Sequence, residues 1–401
     1  MALLGILLVA LNLRTAVAAI SPIVSSINVD IPLDAVTLGI IGMIPPIAFS
    51  LCGIFGAIPA RRFGLERFLA IAMVTMVAGH LLRSLAGSFT GLFLGSVLAL
   101  AGAGVGNILL PPLVKRYFPD RIGLVTTLYV AIMSFSTAIP AALAAPITDA
   151  NGWRLSLGIW SIVAIVGLVP WVLVLLAHRR ERAAAASGSS GAEIADLAQP
   201  REEFSGKIWH SRVAWTIALV FAVSSFEIYA GLAWLPQLLE DIAHVSKFEA
   251  GNLLALYSLM GLPGALFLPV LTTRMKNVSW LLQLGLACFV LGYLGLLLAP
   301  TTATWLWVAL IGSGPMLFPI CLTLINARTR SAHTSVALSG FAQGVGYALG
   351  ALGPLLVGFL HDVTGGWTAP LILLLAIAAA CAIAAAKLRK PTSIEDDLER
   401  A

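Results

Sequence analysis

AAAASGSSGAEIADLAQPREE, residues 183–203, is the stretch that sets the architecture. It is small, polar and Gly/Ser-bearing, the composition of a flexible linker, and it lies within the longest polar interruption of the chain, 178–212. On either side the sequence is overwhelmingly apolar. Hydrophobic residues make up 59% of the 401 and charged residues 11%, against about 25% charged in an ordinary soluble domain. Runs of about 20 apolar residues, the length that crosses ~30 Å of hydrocarbon as a helix, fall near 3–27, 35–59, 68–86, 89–113, 122–146 and 155–177 before the linker. Six more follow it, near 213–236, 249–272, 278–299, 304–326, 334–360 and 368–386. The pattern predicts an all-α membrane protein of twelve transmembrane helices in two six-helix bundles. The expected divisions are 1–177, the linker 178–212, 213–387 and a tail, 388–401.

Basic residues assign the sides, because Lys and Arg in short loops collect on the cytoplasmic face. With a cytoplasmic N-terminus, all but four of the 24 basic residues fall in cytoplasmic loops, the linker or the tail. The four are Arg14 inside span 1, and Arg83, Arg154 and Lys247 on the outer side. The net charge of +5 therefore calls for no nucleic-acid partner. Cys52, Cys288, Cys321 and Cys381 lie within predicted spans without metal-like pairing and read as small core residues.

Arg14 places a cation near the middle of the bilayer, where ionisable groups are costly and usually functional. Ala18, Ser21 and Ser25 follow it at helical spacing on one face. A buried guanidinium must be neutralised by a substrate anion, by a protein carboxylate or by cavity water. Each reading gives a different protein: an anion-binding transporter, an Arg14 to Glu227 structural pair, or a solvated gating cation. Glu227 is the acidic residue deep inside a span, about 14 residues or roughly 21 Å from the start of span 7. Ser224, Gly231 and Trp234 share its face and suggest a cavity wall. It is a candidate for proton coupling, or for a permanent pair with Arg14.

Asn107 in span 4 and Gln343 in span 11 can both donate to and accept from a polar ligand, or can join neighbouring helices. Gln343 shares a face with Ser339, Gly346 and Gly350. Tyr229, Trp234, Tyr257 and Tyr347 offer stacking surfaces for a planar ligand, or plain packing. Asn12 is on a different face from Arg14. His80 and Arg83 sit one turn apart near the outer end of span 3, where snorkelling to the headgroups is the expected arrangement. Gly102, Gly104 and Gly106 imitate a nucleotide loop, but no strand precedes them and they lie within a span. The chain also lacks a Walker-type sequence, so no cofactor is expected, and transport would draw on an ion gradient or simple facilitation.

The halves echo one another: Gly102-x-Gly104 in span 4 matches Gly312-x-Gly314 in span 10, and Pro22 in span 1 matches Pro236 in span 7. Two six-helix halves joined by a cytoplasmic loop resemble the major facilitator superfamily, in which substrate binds near the midplane and one half rocks against the other. Finer stretches resemble its cyanate/nitroimidazole (CynX/NimT) branch. They are Asn12-Leu13-Arg14; Ala60-Arg61-Arg62-Phe63-Gly64-Leu65-Glu66-Arg67; Gly106-Asn107; Leu113-Val114-Lys115-Arg116; Phe118-Pro119-Asp120-Arg121; Gly152-Trp153-Arg154; and Tyr229 with Ala233-Trp234-Leu235-Pro236. Two departures stand out. Ala57 and Arg61 replace the Gly and the acidic residue of the superfamily's usual G-x-x-x-D-R-x-G-R-R loop, and span 5 lacks the Gly-Pro-x-x-Gly-Gly of many drug/proton antiporters.

The resemblance implies a multi-pass transporter of the bacterial inner membrane, monomeric, with cytoplasmic termini. It would move a small polar or anionic solute (cyanate-, carboxylate- or nitroimidazole-like) by alternating access, with protons as a coupling partner. Substrate would meet Arg14, Asn107, Tyr229, Trp234, Tyr257, Gln343 and Tyr347. Glu227 would carry the proton, and Lys115, Arg116, Asp120 and Arg121 would form a cytoplasmic gate. Two alternatives are a proton-antiport exporter of drugs or metabolites and a transporter-like sensor. No nucleophile, metal cluster or carboxylate pair in the spans suggests an enzyme.

Overall fold

The computed structural model describes residues 1–186, 208–275, 277–330 and 332–399. Most of the expected linker, with Arg201 and Lys207, lies outside the described residues, as do Lys276, Arg400 and the side chains of Arg61, Arg179, Arg180 and Arg182.

The first half begins with a broken span. Helices α1 (Ala2–Asn12), α2 (Thr15–Ala18) and α3 (Val24–Asp30) replace the single helix expected over 3–27, with a bend of 40° between the stretches 2–18 and 21–30. It continues with α4 (Ala35–Phe55), α5 (Ala57–Phe63), α6 (Leu65–Ser84), α7 (Phe89–Tyr117), α8 (Ile122–Asn151) and α9 (Trp153–Ala186). The second half comprises α10 (Arg212–Ala243), α11 (Lys247–Arg274), α12 (Ser279–Leu298), α13 (Thr304–Ser313), α14 (Leu317–Ala327), α15 (Ala332–Gly350), α16 (Leu352–Thr364) and α17 (Thr368–Lys387). Counting the broken span once, each half carries, among the described residues, six stretches long and apolar enough to cross a membrane.

Turns between spans are short and carry their own caps. The side chains of Asp34, Ser88, Ser211 and Ser246 accept hydrogen bonds from the first-turn amides of α4, α7, α10 and α11. Gly152 turns α8 into α9 at φ +83°, a conformation that side chains disfavour. Within the first half, a Cβ on Gly79 would lie 2.3 Å from the backbone nitrogen of Ala99, so α6 and α7 approach almost backbone to backbone.

The halves touch at several points on the side away from the linker. Ser21 Oγ donates to the Ala233 carbonyl at 2.8 Å, Gly42 is covered by Pro354 and Ala233, Gly358 lies against the Ala35 carbonyl, and Gly251 against that of Ala141. Nearer the middle, Ser50 Oγ donates to the Gly344 carbonyl at 3.3 Å.

A short helix, α18 (Ile394–Glu399), docks on the linker side of the second half. Asp397 Oδ2 accepts from Ser211 Oγ at 2.7 Å and from the Val213 amide at 3.1 Å, capping α10 from outside. Glu395 accepts from the Arg330 amide at 2.9 Å, Arg330 also pairs with Asp396, and the Ile394 amide donates to the Arg328 carbonyl.

Candidate functional site

The break in the first span creates the site. The span is interrupted at residues 13–14 and again at 19–20, where the 40° bend falls just before Pro22; at the first interruption neither residue is Gly or Pro, so the usual helix breakers are not responsible there. Instead, two hydroxyls take over backbone groups that the helix would have used. Thr15 Oγ1 donates to the Asn12 carbonyl at 2.9 Å, and the Arg14 amide donates to Ser136 Oγ on α8 at 3.2 Å. Broken backbone inside a membrane survives where neighbouring groups re-satisfy it. Asn12 steadies the turn before the break, donating to the Leu8 carbonyl and, across to α9, to that of Val163.

From this break Arg14 reaches between the halves. Its Nη1 donates to the Tyr229 hydroxyl at 3.0 Å, and its guanidinium carbon lies 5.0 Å from the centre of the Phe49 ring. Among the described residues it makes no ion pair with a carboxylate. It lines a central cavity of about 180 Å³ with Thr137 on α8, Tyr229 on α10, Tyr257 on α11, Phe318 on α14 and Tyr347 on α15. The rings form one aromatic group, with Tyr347 edge-on to Phe49, Phe221 and Tyr229. Tyr257 is held at the cavity by Gly312, where a Cβ would sit 2.5 Å from the Tyr257 carbonyl oxygen. The hydroxyls of Tyr257 and Tyr347 are buried and lack protein partners. The site therefore offers one planar cation, unpaired phenols and flat apolar walls.

The face of α10 expected to line the cavity is turned the other way. Ser225, Ile228, Tyr229 and Leu232 face it, while Ser224 and Glu227 are fully buried within the second half. Residues 227 and 229 are two apart, about 200° around a helix, so they point to opposite sides. Glu227 accepts a hydrogen bond from the Tyr293 hydroxyl of α12 at 2.7 Å, and its other carboxylate oxygen has no partner. The expected pairing of Glu227 with Arg14 is absent among the described residues. Gly231 does lie beneath the Tyr257 hydroxyl, one turn from Glu227, so the carboxylate stands behind the cavity wall.

The other expected residues divide. Trp234 is not at the cavity: its Nε1 donates to the Pro354 carbonyl, and its ring lies beside His361 and Trp367 at the far end. Gln343 and Asn107 are half-buried and outside the cavity lining. Gln343 donates to Ser339 Oγ, and Gly346 and Gly350 on its helix pack against Phe221 and Ser225 of their own half. Arg116 pairs with Glu66, which also accepts from Tyr117, whereas Lys115, Asp120 and Arg121 are exposed on the linker side. His80 and Arg83 do not snorkel; both are fully buried inside the first half. The sequence reading missed Phe49, Ser136, Phe318 and Tyr293, which look like ordinary core residues until the helices are assembled.

Comparison with known proteins agrees with this architecture. A family model described as the Major Facilitator Superfamily matches residues 2–351. The chain is 33% identical to the 2-nitroimidazole transporter of Escherichia coli, covering 94% of each chain. It is 25% identical to the cyanate transport protein CynX of the same organism, covering 91% of each. Among solved structures, a bacterial homologue of the human lysosomal transporter Spinster, inward-facing and unoccupied, superposes with a TM-score of 0.74 at 16% identity, covering 97% of this chain and 96% of that one.

Proposed function

The chain belongs to the major facilitator superfamily, and on that premise we propose that it carries a small planar solute with a negative or acceptor-rich end, of the cyanate or nitroimidazole kind, by alternating access across a bacterial inner membrane. The observation that carries this reading is Arg14, a guanidinium in the central cavity whose described neighbours are a phenol and an aromatic ring rather than a carboxylate. A planar donor fork matches the oxygens of a nitro group or the end of a small anion. The tyrosine and phenylalanine walls suit a flat molecule. The names of the two relatives point to the same solutes.

The contacts between the halves away from the linker support a state open toward the linker. The concentration of basic residues at that end supports a cytoplasmic linker and termini. Glu227 supports proton coupling, since a buried carboxylate held by one phenol and free at its other oxygen has a place for a proton. Lys115, Asp120 and Arg121 remain the proposed elements of an inner gate that forms when the linker side closes.

The test is a thermal-shift screen of the purified full chain against cyanate, nitrate, small carboxylates and 2-nitroimidazole. A ligand that binds the folded state raises the unfolding temperature. The reading expects stabilisation by cyanate or 2-nitroimidazole in the wild type and its loss in Arg14→Ala. Stabilisation that persists undiminished in Arg14→Ala overturns it.

A further inference from the structure

Arg83 is a second guanidinium within the spans of the first half, and the proposed function leaves it unused. It is fully buried near the end of α6, and no described carboxylate pairs with it. Its one hydrogen bond runs from Nη1 to the Ala16 carbonyl at 3.0 Å, and its Nε and Nη2 have no partner. A guanidinium kept in such a place without a counter-charge is costly to bury, so what it touches is informative. It touches the broken span, two residues beyond Arg14.

The Ala16 carbonyl needs that donor. In an unbroken helix it would accept from the amide of residue 20, but the backbone bonds around the break run from Val17 and Ala18 to Arg14, from Ala19 to Thr15 and from Ile23 to Ile20. The carbonyl is left over as the short helix α2 ends, and a cation at a helix C-terminus is also favourably placed against the aligned peptide dipoles. Close approach of the flanking helices makes the reach possible. A Cβ on Gly95 of α7 would lie 2.7 Å from the Arg83 amide nitrogen and 2.8 Å from its Cγ.

We propose that Arg83 is a positioning residue for substrate binding: by holding the Ala16 carbonyl it fixes the end of the short helix α2 and so sets Arg14, which caps the other end of that helix, against Tyr229 in the cavity. Ser136 holds the opposite end of the same short helix, α2, through the Arg14 amide. Two independent clamps, one on α6 and one on α8, thus locate the cavity cation. This inference rests on the reading of Arg14 as the residue that meets the solute.

The test is counterflow of labelled cyanate and of 2-nitroimidazole in vesicles containing the full chain. Arg83→Ala is expected to raise KM about tenfold or more with a smaller change in kcat, the scale of a lost charged hydrogen bond. Arg83→Lys keeps a cation and a donor and should recover most of the loss. Ser136→Ala, a mild change that leaves Arg83 in place, should raise KM by a few-fold. Combining Arg83→Ala with Arg14→Ala should add nothing to Arg14→Ala alone, because a residue that acts through another has no effect once that partner is gone. If Arg14→Ala raises KM while Arg83→Ala and Ser136→Ala do not, or if the double variant is fully additive, the positioning role is overturned. If Arg14→Ala itself leaves KM unchanged, it is the binding reading that fails.

Discussion

The two halves place opposite charges on the two sides of one cavity wall. The first half brings a cation on a broken helix, held by side chains of its neighbours, with its head exposed to the cavity. The second half brings a carboxylate on an unbroken helix, turned away and sealed behind tyrosines. Had the two charges met, they would have cancelled, and the cavity would hold a neutral pair with little to offer a solute. Their separation by the width of a helix leaves each available for the task proposed for it, recognition for Arg14 and protonation for Glu227.

The comparison can be broken at its strongest point by Arg14→Ala. Loss of a buried charged donor is expected to lower kcat/KM for cyanate counterflow by about a hundredfold, and an effect within twofold would remove the first half from recognition. Glu227→Gln probes the other half. Accumulation driven by an imposed pH gradient should disappear while counterflow persists; if both survive, the carboxylate is structural, and if both vanish, the division of labour is wrong. Tyr229→Phe acts at the seam, where a single hydroxyl joins the halves through Arg14. Its loss should raise KM about fivefold, the scale of one hydrogen bond.

The smallest effect is expected at Asp34, far from either charge. Its carboxylate caps α4 by accepting from the Thr37 amide and hydroxyl at 2.7 Å, and these bonds hold its pKa below the ordinary 3.8. A lowered pKa means that the folded state favours the charged form, so the cap contributes at and above that ordinary value and fades as pH falls below it. Asp34→Ala should cost about 1 kcal/mol near neutrality. Measured by thermal unfolding, the difference from wild type should shrink in acid, with transport unaffected.

The spans, their division into six and six and the existence of Arg14 as a buried cation were all legible, because each follows from composition, length or the price of a charge in hydrocarbon. The orientation of α10 was not. Both of its faces carry small, polar and aromatic residues, so periodicity identifies two stripes without saying which one meets the cavity; Ser224, Glu227, Gly231 and Trp234 form as regular a stripe as Ser225, Tyr229 and Leu232. The break at residues 13 and 14 was hidden for another reason: half of what satisfies it is Ser136, 122 residues away. Arg83 was misread because its height in the membrane was correct but its direction was not. A cation near a helix end faces lipid or protein, and the glycines of α7 that admit it inward become informative only once α6 and α7 are known to be neighbours.

An Arg14 without an acidic partner among the described residues also bears on how a carrier of the proposed kind would return empty. To reorient without cargo, the protein must enclose a bare cation between its halves, whereas with an acceptor-rich solute in place that charge is already answered. Under the proposed function the unloaded crossing would therefore be the slower one, and the residue proposed to select the cargo would also act as a brake on futile cycling, favouring exchange of one solute for another over net leak.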